Sequence, residues 1–270
     1  MESTPASSSC CTPDHSSAVD ERYGAAALEQ EACLCTPVGF DARLLEVIPP
    51  EVIERDYGCG DPTRWVKPGD RVVDLGSGSG KNAFICSQIV GSSGAVIGLD
   101  RNPNMLELAS GAKASVASRI GYANVSFRRA EIHQLERDLD DAPLLADASV
   151  DVVLSNCVLN LVHPSQRTAM LSEIRRVLAP GGRIAISDII CNQPVPLAMQ
   201  RNADLWSGCI SGAWEEQAFL DAFRELGFDD VHYADRSDEP WKVVEGIEFR
   251  AATVVGVIPA ADSTGAAHSR

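Results

Sequence analysis

The chain has 270 residues, 45% of them hydrophobic, and its 38 acidic and 23 basic residues give a net charge of -15. This length suits one domain with extensions or two small domains, and the composition is ordinary for a globular protein. The negative charge argues against sequence-independent binding to nucleic acid or to an anionic membrane, and it favours work on small molecules.

No basic segment leads into an apolar run at the N-terminus, and no stretch of 18 apolar residues occurs in the chain. We therefore expect neither a signal peptide nor a membrane span, and we expect a cytoplasmic protein. Residues 1–20 and 259–270 are rich in small and polar residues without an apolar period, which predicts disordered tails.

Short β-branched runs alternate with helical patterns through the middle of the chain. The β-branched runs predict strands at 71–76, 94–100, 124–130, 150–156, 182–190, 229–234 and 249–257. A repeat close to 3.6 residues predicts helices at 80–90, 103–118, 165–178 and 215–226. The alternation predicts an α/β fold with a doubly wound, mostly parallel sheet of seven strands. We place this domain at 69–258, with an N-terminal cap at 21–68 and an insertion at about 191–216.

A glycine-rich turn follows the first predicted strand and opens a helix, which brings backbone N–H groups and a helix N-terminus against a polar ligand. A P-loop is excluded, because Leu75 stands at its first glycine and Asn82 at its Ser or Thr. A dinucleotide fingerprint is excluded, because Lys81 stands at its third glycine. The remaining pattern resembles motif I of the S-adenosylmethionine-dependent methyltransferases and comprises Asp74, Gly76, Ser77, Gly78 and Gly80.

Polar residues follow the next three predicted strands. Asp100 ends the second strand, where a carboxylate either accepts hydrogen bonds from two ribose hydroxyls or caps the following helix. After the third strand, a methyltransferase would hold the adenine near Glu131 or the backbone of Ile132. Asn156 and Cys157 end the fourth strand, so we expect both to face the reactive end of the cofactor.

The nine cysteines include no C-x-x-C pair, which argues against a zinc ribbon or a thioredoxin motif. In a reducing compartment most of them should be free thiols. Cys59 stands between two glycines just before the first strand of the domain, and the absence of neighbouring side chains predicts a reachable thiol.

Five segments between Tyr23 and Val257 together resemble the arsenite methyltransferase family. They are YGCGDP at 57–62, DLGSGSG at 74–80, SNCVLNL at 155–161, GGRIAISDI at 181–189 and WSGCISGA at 206–213. The resemblance implies a class I, Rossmann-like methyltransferase fold, S-adenosyl-L-methionine as cofactor, and an arsenic-binding insertion. It implies that three thiolates hold trivalent arsenic: Cys59, Cys157 and Cys209. The predicted cofactor site also includes Tyr23, Tyr57, Arg101 and Met105.

Ligand chemistry agrees with this implication. Thiolates select soft ions, and three of them without a fourth ligand suit a pyramidal trivalent centre that keeps its lone pair. The lone pair attacks the sulfonium methyl directly, so the enzyme needs to hold the two at near-attack distance and needs no general base. We accordingly expect His133 and His163, which lie near strand ends, to be loop or capping residues.

Methyl transfer oxidises arsenic to the pentavalent state, so the resemblance also implies a reducing pair of thiols. Cys33 or Cys35 would close onto Cys59, and thioredoxin or glutathione would reopen the disulfide as an external reductant. The sequence leaves open which of the two cysteines takes part. The remaining thiols are expected in the core (Cys86), at a strand end (Cys191) and in the N-terminal tail (Cys10 and Cys11).

The leading hypothesis is therefore methylation of arsenite, methylarsenite or both, serving arsenic detoxification, without a nucleic-acid or membrane partner. A small-molecule C- or O-methyltransferase with structural cysteines is a second hypothesis. The third is a non-catalytic thiol protein that sequesters arsenicals, for which we expect no saturable affinity for S-adenosylmethionine. The preferred arsenical, the number of methyl groups added and the oligomeric state stay open.

Overall fold

A central β-sheet occupies the middle of the computed structural model, which describes residues 13–31 and 39–260. The strands are β1 (Arg71–Leu75), β2 (Ala95–Asp100), β3 (Val125–Arg129), β4 (Val150–Asn156), β5 (Leu178–Cys191), β6 (Trp214–Glu215), β7 (Asp229–Arg236), β8 (Lys242–Val244) and β9 (Ile247–Val257). Seven of them form the path β3-β2-β1-β4-β5-β9-β7. The first five pair in parallel, whereas β9 is antiparallel to β5 and β7. This confirms the predicted seven-stranded path, to which the short strands β6 and β8 add at β5 and β9.

Helices cover both faces of the sheet. They are α1 (Ser16–Ala26), α2 (Ala42–Leu45), α3 (Pro50–Glu54), α4 (Lys81–Val90), α5 (Pro103–Ile120), α6 (Pro164–Val177), α7 (Leu197–Gln200), α8 (Ala203–Ser207) and α9 (Glu216–Arg224), with 3-10 turns at Pro62–Trp65 and Leu159–Leu161. Alternate residues of β1 belong to cores on opposite faces of the sheet. Val73 belongs to the core that includes residues of α6 and α9, whereas Val72 belongs to the core that includes residues of α4. This alternation makes the sheet doubly wound.

The largest core lies between the sheet and helices α6 and α9. Met170 and Ile174, four residues apart on α6, share one face, and Phe219 and Phe223 do the same on α9. All four are almost completely buried. Burying such a side chain contributes about 1.5–3 kcal/mol to the free energy of unfolding, so this cluster stabilises the packing of α6 and α9 on the sheet.

The strand order reverses between β1 and β4, because β2 and β3 lie on one side of β1 and β5 lies beyond β4. In an open α/β sheet, a crevice forms outside the carboxyl ends of the strands at such a reversal. The residues that follow β1, β2 and β4 therefore come together at one edge of the sheet.

Two predicted boundaries need correction. The predicted disordered tail 1–20 overlaps helix α1, which begins at Ser16, and only residues 1–12 of it lie outside the described part. Strand β5 begins at Leu178 rather than at 182, because Leu178 pairs with Val150 across an irregularity in the ladder. The predicted insertion at 191–216 consists of α7, α8, the loop after α8 and β6. No helix within the two described ranges is long and apolar enough to cross a bilayer.

Candidate active site

A cleft opens beyond the carboxyl ends of β1, β2 and β4, and helix α1 forms part of its wall. Most of the residues predicted to bind the cofactor line it: Tyr23, Tyr57, Gly76, Ser77, Gly78, Asp100, Arg101, Met105, Glu131, Ile132 and Asn156. Of the three predicted arsenic ligands, Cys157 lines the cleft. The topology thus brings together residues that are far apart in the sequence.

The carboxylate of Asp100 organises the floor of the cleft. Its two oxygens accept hydrogen bonds from the backbone N–H groups of Gly78 and Asn102, each at 2.8 Å. Burial raises the pKa of Asp100, and these backbone hydrogen bonds act in the opposite direction. A carboxylate offers about four acceptor positions, so Asp100 keeps capacity to accept further hydrogen bonds from a ligand.

Two predicted cofactor residues lie behind the wall of the cleft instead of in it. Asp74 is 1% exposed, and neither carboxyl oxygen has a close hydrogen-bond partner among the described residues. Burial raises the pKa of Asp74 well above its usual value, and the charges of Asp56 and Asp100 add to this effect. Gly80 caps helix α4 in a left-handed conformation, where a side chain would meet Phe127. Neither residue lines the cleft.

Helix α1 forms part of the cleft wall and connects it to α8. Asp20 forms an ion pair of 2.9 Å with Arg101, next to Asp100. Arg22 donates to the hydroxyl of Ser207 in α8 at 3.1 Å. Sequence reasoning missed this helix and placed residues 16–20 in a disordered tail, because only Val19, Gly24 and Ala26 of the helix are buried and no apolar period results.

The three predicted arsenic ligands are neighbours. Cys59 and Cys209 are 7% and 5% exposed and lie beside Cys157, whose thiol interacts with both of theirs. The Cys209 thiol donates to the Cys157 carbonyl at 3.3 Å. Burial raises the pKa of Cys59 and the pKa of Cys157. The pKa of Cys209 is raised most by its hydrogen bond with Cys157, and burial raises it further. All three are therefore neutral thiols without a ligand, and within the described ranges no three Cys, His, Asp or Glu side chains converge as a metal site.

Two of these cysteines have strained backbones. Cys157 and Cys209 both have φ of 60°, in the left-handed region that costs a residue with a side chain about 1–3 kcal/mol. The backbone N–H of Cys157 donates to the carbonyl of Ser187 at 2.8 Å, which holds it in this conformation. Such strain persists only where surrounding contacts impose it, and it concentrates at functional sites.

The glycines around Cys59 have a different purpose from the predicted one. The Asn156 side chain accepts from the N–H of Cys59 at 2.9 Å and donates to the carbonyl of Gly60 at 2.8 Å. A side chain at position 58 would overlap Asn156, and one at position 60 would overlap Ser187. The glycines therefore let residues 57–62, the Cys59 loop, lie against strands β4 and β5. They bury the thiol rather than expose it, which corrects the expectation of a reachable Cys59.

We expect Gly58→Ala to destabilise the fold by about 1–3 kcal/mol, because its methyl group forces Asn156 away from the Cys59 loop. Gly111→Ala is the matched control, since nothing lies within 4 Å of its added methyl on the exposed side of α5. That change should stabilise the protein by about 0.5–1 kcal/mol. Urea unfolding measures both, and a Gly58→Ala midpoint equal to wild type would contradict the packing described here.

The chain is similar to known methyltransferases. A protein-family profile described as a methyltransferase domain matches residues 66–227. The arsenite methyltransferase of Aquipseudomonas alcaligenes is 36% identical over 202 residues, which are 75% of this chain and 56% of that protein. The arsenite methyltransferase of Homo sapiens is 34% identical over 208 residues, which are 74% of this chain and 53% of that protein. The chain spans about half the length of these curated relatives.

A crystal structure of an arsenic (III) S-adenosylmethionine methyltransferase from Chlamydomonas reinhardtii matches this structure with a TM-score of 0.71 at 32% identity. The match covers 84% of this chain and 76% of that one. The chain belongs to the arsenite methyltransferase family. Membership confirms the resemblance inferred from the five sequence segments and the class I methyltransferase fold.

The other cysteines of this family member divide into two groups. Cys86 is completely buried in α4, which confirms its predicted place in the core. Cys191 is also buried, its thiol donates to the carbonyl of Trp214 at 3.2 Å, and burial raises its pKa to about 12. The remaining four lie outside the described residues: Cys10, Cys11, Cys33 and Cys35.

Both histidines near strand ends line the cleft. His163 precedes α6 and accepts from the N–H of Ser165 through its ring at 3.3 Å, so it is the helix-capping residue that was predicted. The ring of His133 lies 3.2 Å from the side-chain nitrogen of Gln166.

Sequence reasoning also missed a buried ion pair beside the cleft. Lys81, at the start of α4, pairs with Asp56 just before the Cys59 loop, and the Phe40 ring lies 4.0 Å from the ammonium group. The pair ties the glycine-rich turn to the Cys59 loop. Asp56 and Lys81 are 25 positions apart in the printed sequence, and no motif marked them as partners.

Proposed function

We propose that this chain methylates trivalent arsenic with S-adenosylmethionine as methyl donor. The observation that carries the proposal is that Cys157, in the wall of a methyltransferase cleft, has the free cysteines Cys59 and Cys209 as neighbours. Two arsenite methyltransferases and one solved arsenic methyltransferase with which the chain shares 32–36% identity support it.

The cleft carries unpaired polar groups that suit this cofactor. The hydroxyl of Ser77 and the side-chain oxygen of Asn82 are buried and have no partner among the described residues, and both residues line the cleft. Buried polar groups normally find a partner, so these two are available to a polar ligand. Bound S-adenosylmethionine would supply an electrophilic methyl group on a positively charged sulfur. We assign its ribose to Asp100 and its methionine end to the tyrosines, Tyr23 and Tyr57.

We expect Asp100→Ala to weaken S-adenosylmethionine binding by a factor of about 5 to 150, because a buried ribose hydroxyl without its acceptor costs about 1–3 kcal/mol. The change also frees the N–H of Gly78 and loosens the glycine-rich turn. Calorimetric titration with the cofactor measures this loss. Asp138→Asn is the control, since Asp138 is a buried carboxylate that accepts backbone N–H groups but does not line the cleft. Equal cofactor affinity in Asp100→Ala and wild type would remove Asp100 from the site.

Neutral thiols are compatible with arsenite binding. Arsenite is a neutral acid with three hydroxyl groups, and each thiol replaces one of them, so that its proton leaves with the hydroxyl as water. Three As–S bonds form, three As–O bonds break, and no net charge is buried. Burial of Cys59, Cys157 and Cys209, which keeps them protonated, is therefore compatible with the proposed substrate and unfavourable to a free divalent cation.

Positioning is the main contribution of the chain to the transfer step. Arsenic held by three thiols keeps a lone pair, which must lie roughly 3–3.5 Å from the methyl carbon and in line with the bond that breaks. The strained backbones of Cys157 and Cys209 fix the direction of their thiols. Side chains of α1 form part of the cleft wall.

The product of transfer is pentavalent arsenic, which needs two electrons to return to the trivalent state. We propose that Cys59 and either Cys33 or Cys35 give these electrons by forming a disulfide. Thioredoxin or glutathione then reduces that disulfide by thiol exchange. A reducing compartment such as the cytoplasm is part of this proposal, because the thiols must be free at the start of each cycle.

One assay tests the proposed function. The purified chain is incubated with S-adenosylmethionine, glutathione, thioredoxin and either arsenite or methylarsenite, and the arsenic species are separated and quantified. We expect methylated arsenic that depends on both protein and cofactor. Saturable arsenical binding without methyl transfer would favour a sequestering protein, and cofactor binding without arsenical binding would favour an organic methyl acceptor. Either result would contradict the proposal.

A further inference from the structure

A buried pair of polar residues lies directly behind the thiols. Asp188 in β5 and Asn160 in the loop after β4 are both completely buried. One Asp188 oxygen accepts from the Asn160 side chain at 2.7 Å and from the N–H of Ile189 at 2.8 Å, and the other accepts from the N–H of Asn160 at 3.2 Å. The pair thus joins β5 to the loop that begins with Cys157.

Asn160 also reaches the loop that carries Cys209. Its side-chain nitrogen lies 3.5 Å from the carbonyl of Cys209 and 2.6 Å from that of Ile189. The carbonyl of Asn160 packs so closely on Gly212 that a side chain there would overlap it. Residues 208–213, the Cys209 loop, therefore rest on Asn160 at two points.

Arg167 holds the same loop from the opposite side. It donates to the carbonyl of Gly212 at 2.6 Å and to that of Val162 at 3.2 Å. Its guanidinium lies 4.6 Å from the ring of Trp214. Arg167 therefore fixes the end of the Cys209 loop to the loop that starts at Cys157, so that both sides of the loop are anchored.

These contacts are what the strained cysteines require. A left-handed Cys157 and a left-handed Cys209 each relax unless neighbouring hydrogen bonds hold them. Asn160 is three residues after Cys157 and contacts Cys209 directly, so one side chain acts on both. Asp188 in turn fixes Asn160, because three hydrogen bonds to its carboxylate come from Asn160 and the adjacent backbone.

Asp188 also acts on the three thiols through its charge. Burial raises the pKa of Asp188 to about 7. Its charge adds to the causes that raise the pKa of Cys59, Cys157 and Cys209. A carboxylate here therefore adds to the burial that keeps the three thiols neutral.

We infer that Asp188 and Asn160 are a positioning pair that holds the Cys209 thiol beside the Cys157 thiol. The inference rests on the proposed function where it concerns arsenic, since the two thiols are placed there as ligands. Neither residue lines the cleft, and the hydrogen bond from the pair to Cys209 goes to its backbone carbonyl, so the pair acts mainly through the backbone of the two cysteines. An arsenical bound by only two thiols needs this spacing as much as one bound by three.

Asp188→Asn tests the inference. An amide keeps the shape of the side chain but turns a donor toward one of the N–H groups that the carboxylate accepts. We expect its affinity for both arsenite and phenylarsenite, titrated into reduced protein without cofactor, to fall about tenfold, with S-adenosylmethionine affinity unchanged. The matched control is again Asp138→Asn, which should bind both arsenicals like wild type.

A second measurement does not depend on arsenic. Diamide oxidises two neighbouring thiols to a disulfide while it is itself reduced to the hydrazine, and peptide mass mapping follows the Cys157–Cys209 product. We expect this disulfide to form about tenfold more slowly in Asp188→Asn than in wild type or Asp138→Asn. The result tests the positioning even if wild type binds no arsenical, in which case the proposed function alone fails.

Wild-type disulfide rates together with wild-type arsenical affinity in Asp188→Asn would overturn the inference. If that variant does not fold, as judged by its thermal transition, Asn160→Ser takes its place in both measurements. That change removes the amide that contacts Cys209 and leaves the Asp188 carboxylate bonded to backbone. It should slow the disulfide and weaken arsenical binding in the same way, and wild-type values for it would equally overturn the inference.

Discussion

Cys157→Ser should abolish methylation of every trivalent arsenical, with a loss of more than about a hundredfold in rate. A hydroxyl is a poor ligand for a soft centre, and Cys157 is the thiol that interacts with both other site cysteines and lines the cleft. Cys209→Ser should have the same effect, because Cys157 and Cys209 are the two thiols that we propose to hold every arsenical, and only Cys157 would remain. Time courses with arsenite and with methylarsenite measure both losses.

The control for these variants is Cys86→Ala. It removes a completely buried thiol of α4 that belongs to a different core cluster from the three site thiols. Its activity should stay within about twofold of wild type once the folded fraction is matched by thermal melting, since distant sites act independently. S-adenosylmethionine affinity should be unchanged in Cys157→Ser. Full methylation of any arsenical by Cys157→Ser would refute the three-thiol site.

Cys59→Ser should separate the two arsenical substrates. Arsenite needs three thiols, so its methylation should fall by at least about tenfold when one is lost. Methylarsenite already has carbon in place of one thiol, and Cys157 with Cys209 suffices to hold it. Its first turnover should therefore survive under excess glutathione and thioredoxin, although repeated cycles would lack the thiol that we assign to reduction.

The double variant Cys33→Ser with Cys35→Ser distinguishes binding from reduction. If one of these cysteines only closes onto Cys59, the variant should still bind arsenite with wild-type affinity and fail after one turnover. Binding titrations and single-turnover time courses separate the two steps. Equal loss of binding and turnover on both substrates would show that these cysteines serve the site in every cycle.

Sequence patterns predicted those parts of the fold that depend on local composition. The parallel strands were correct to within a few residues, because β-branched runs that are buried on both faces are distinctive. The glycine-rich turn was also located correctly. In the structure, the N–H of Gly78 in this turn donates to Asp100 at the end of β2. Helix α1 was missed entirely, because a helix that buries few residues leaves no periodic signal.

Contacts between distant residues were out of reach of the sequence. The glycines around Cys59 were interpreted as exposing the thiol, whereas they make room for Asn156, which lies 97 positions away. Asn160 and Asp188 both stand in recognised segments, but their hydrogen bonds span 28 positions and follow no local rule. Such pairings become visible only when the order of the strands is known.

The left-handed backbone conformation of Cys157 and Cys209 lowers the stability of the fold at two positions where we propose that a thiol is needed for activity. Glycine adopts this conformation without steric cost, so Cys157→Gly and Cys209→Gly would each relieve backbone strain while removing a proposed arsenic ligand. Selection for thermal stability and selection for arsenic resistance should therefore favour different residues at these two positions. A lineage that no longer meets arsenic would have a thermodynamic reason, beyond random drift, to lose its thiols there first.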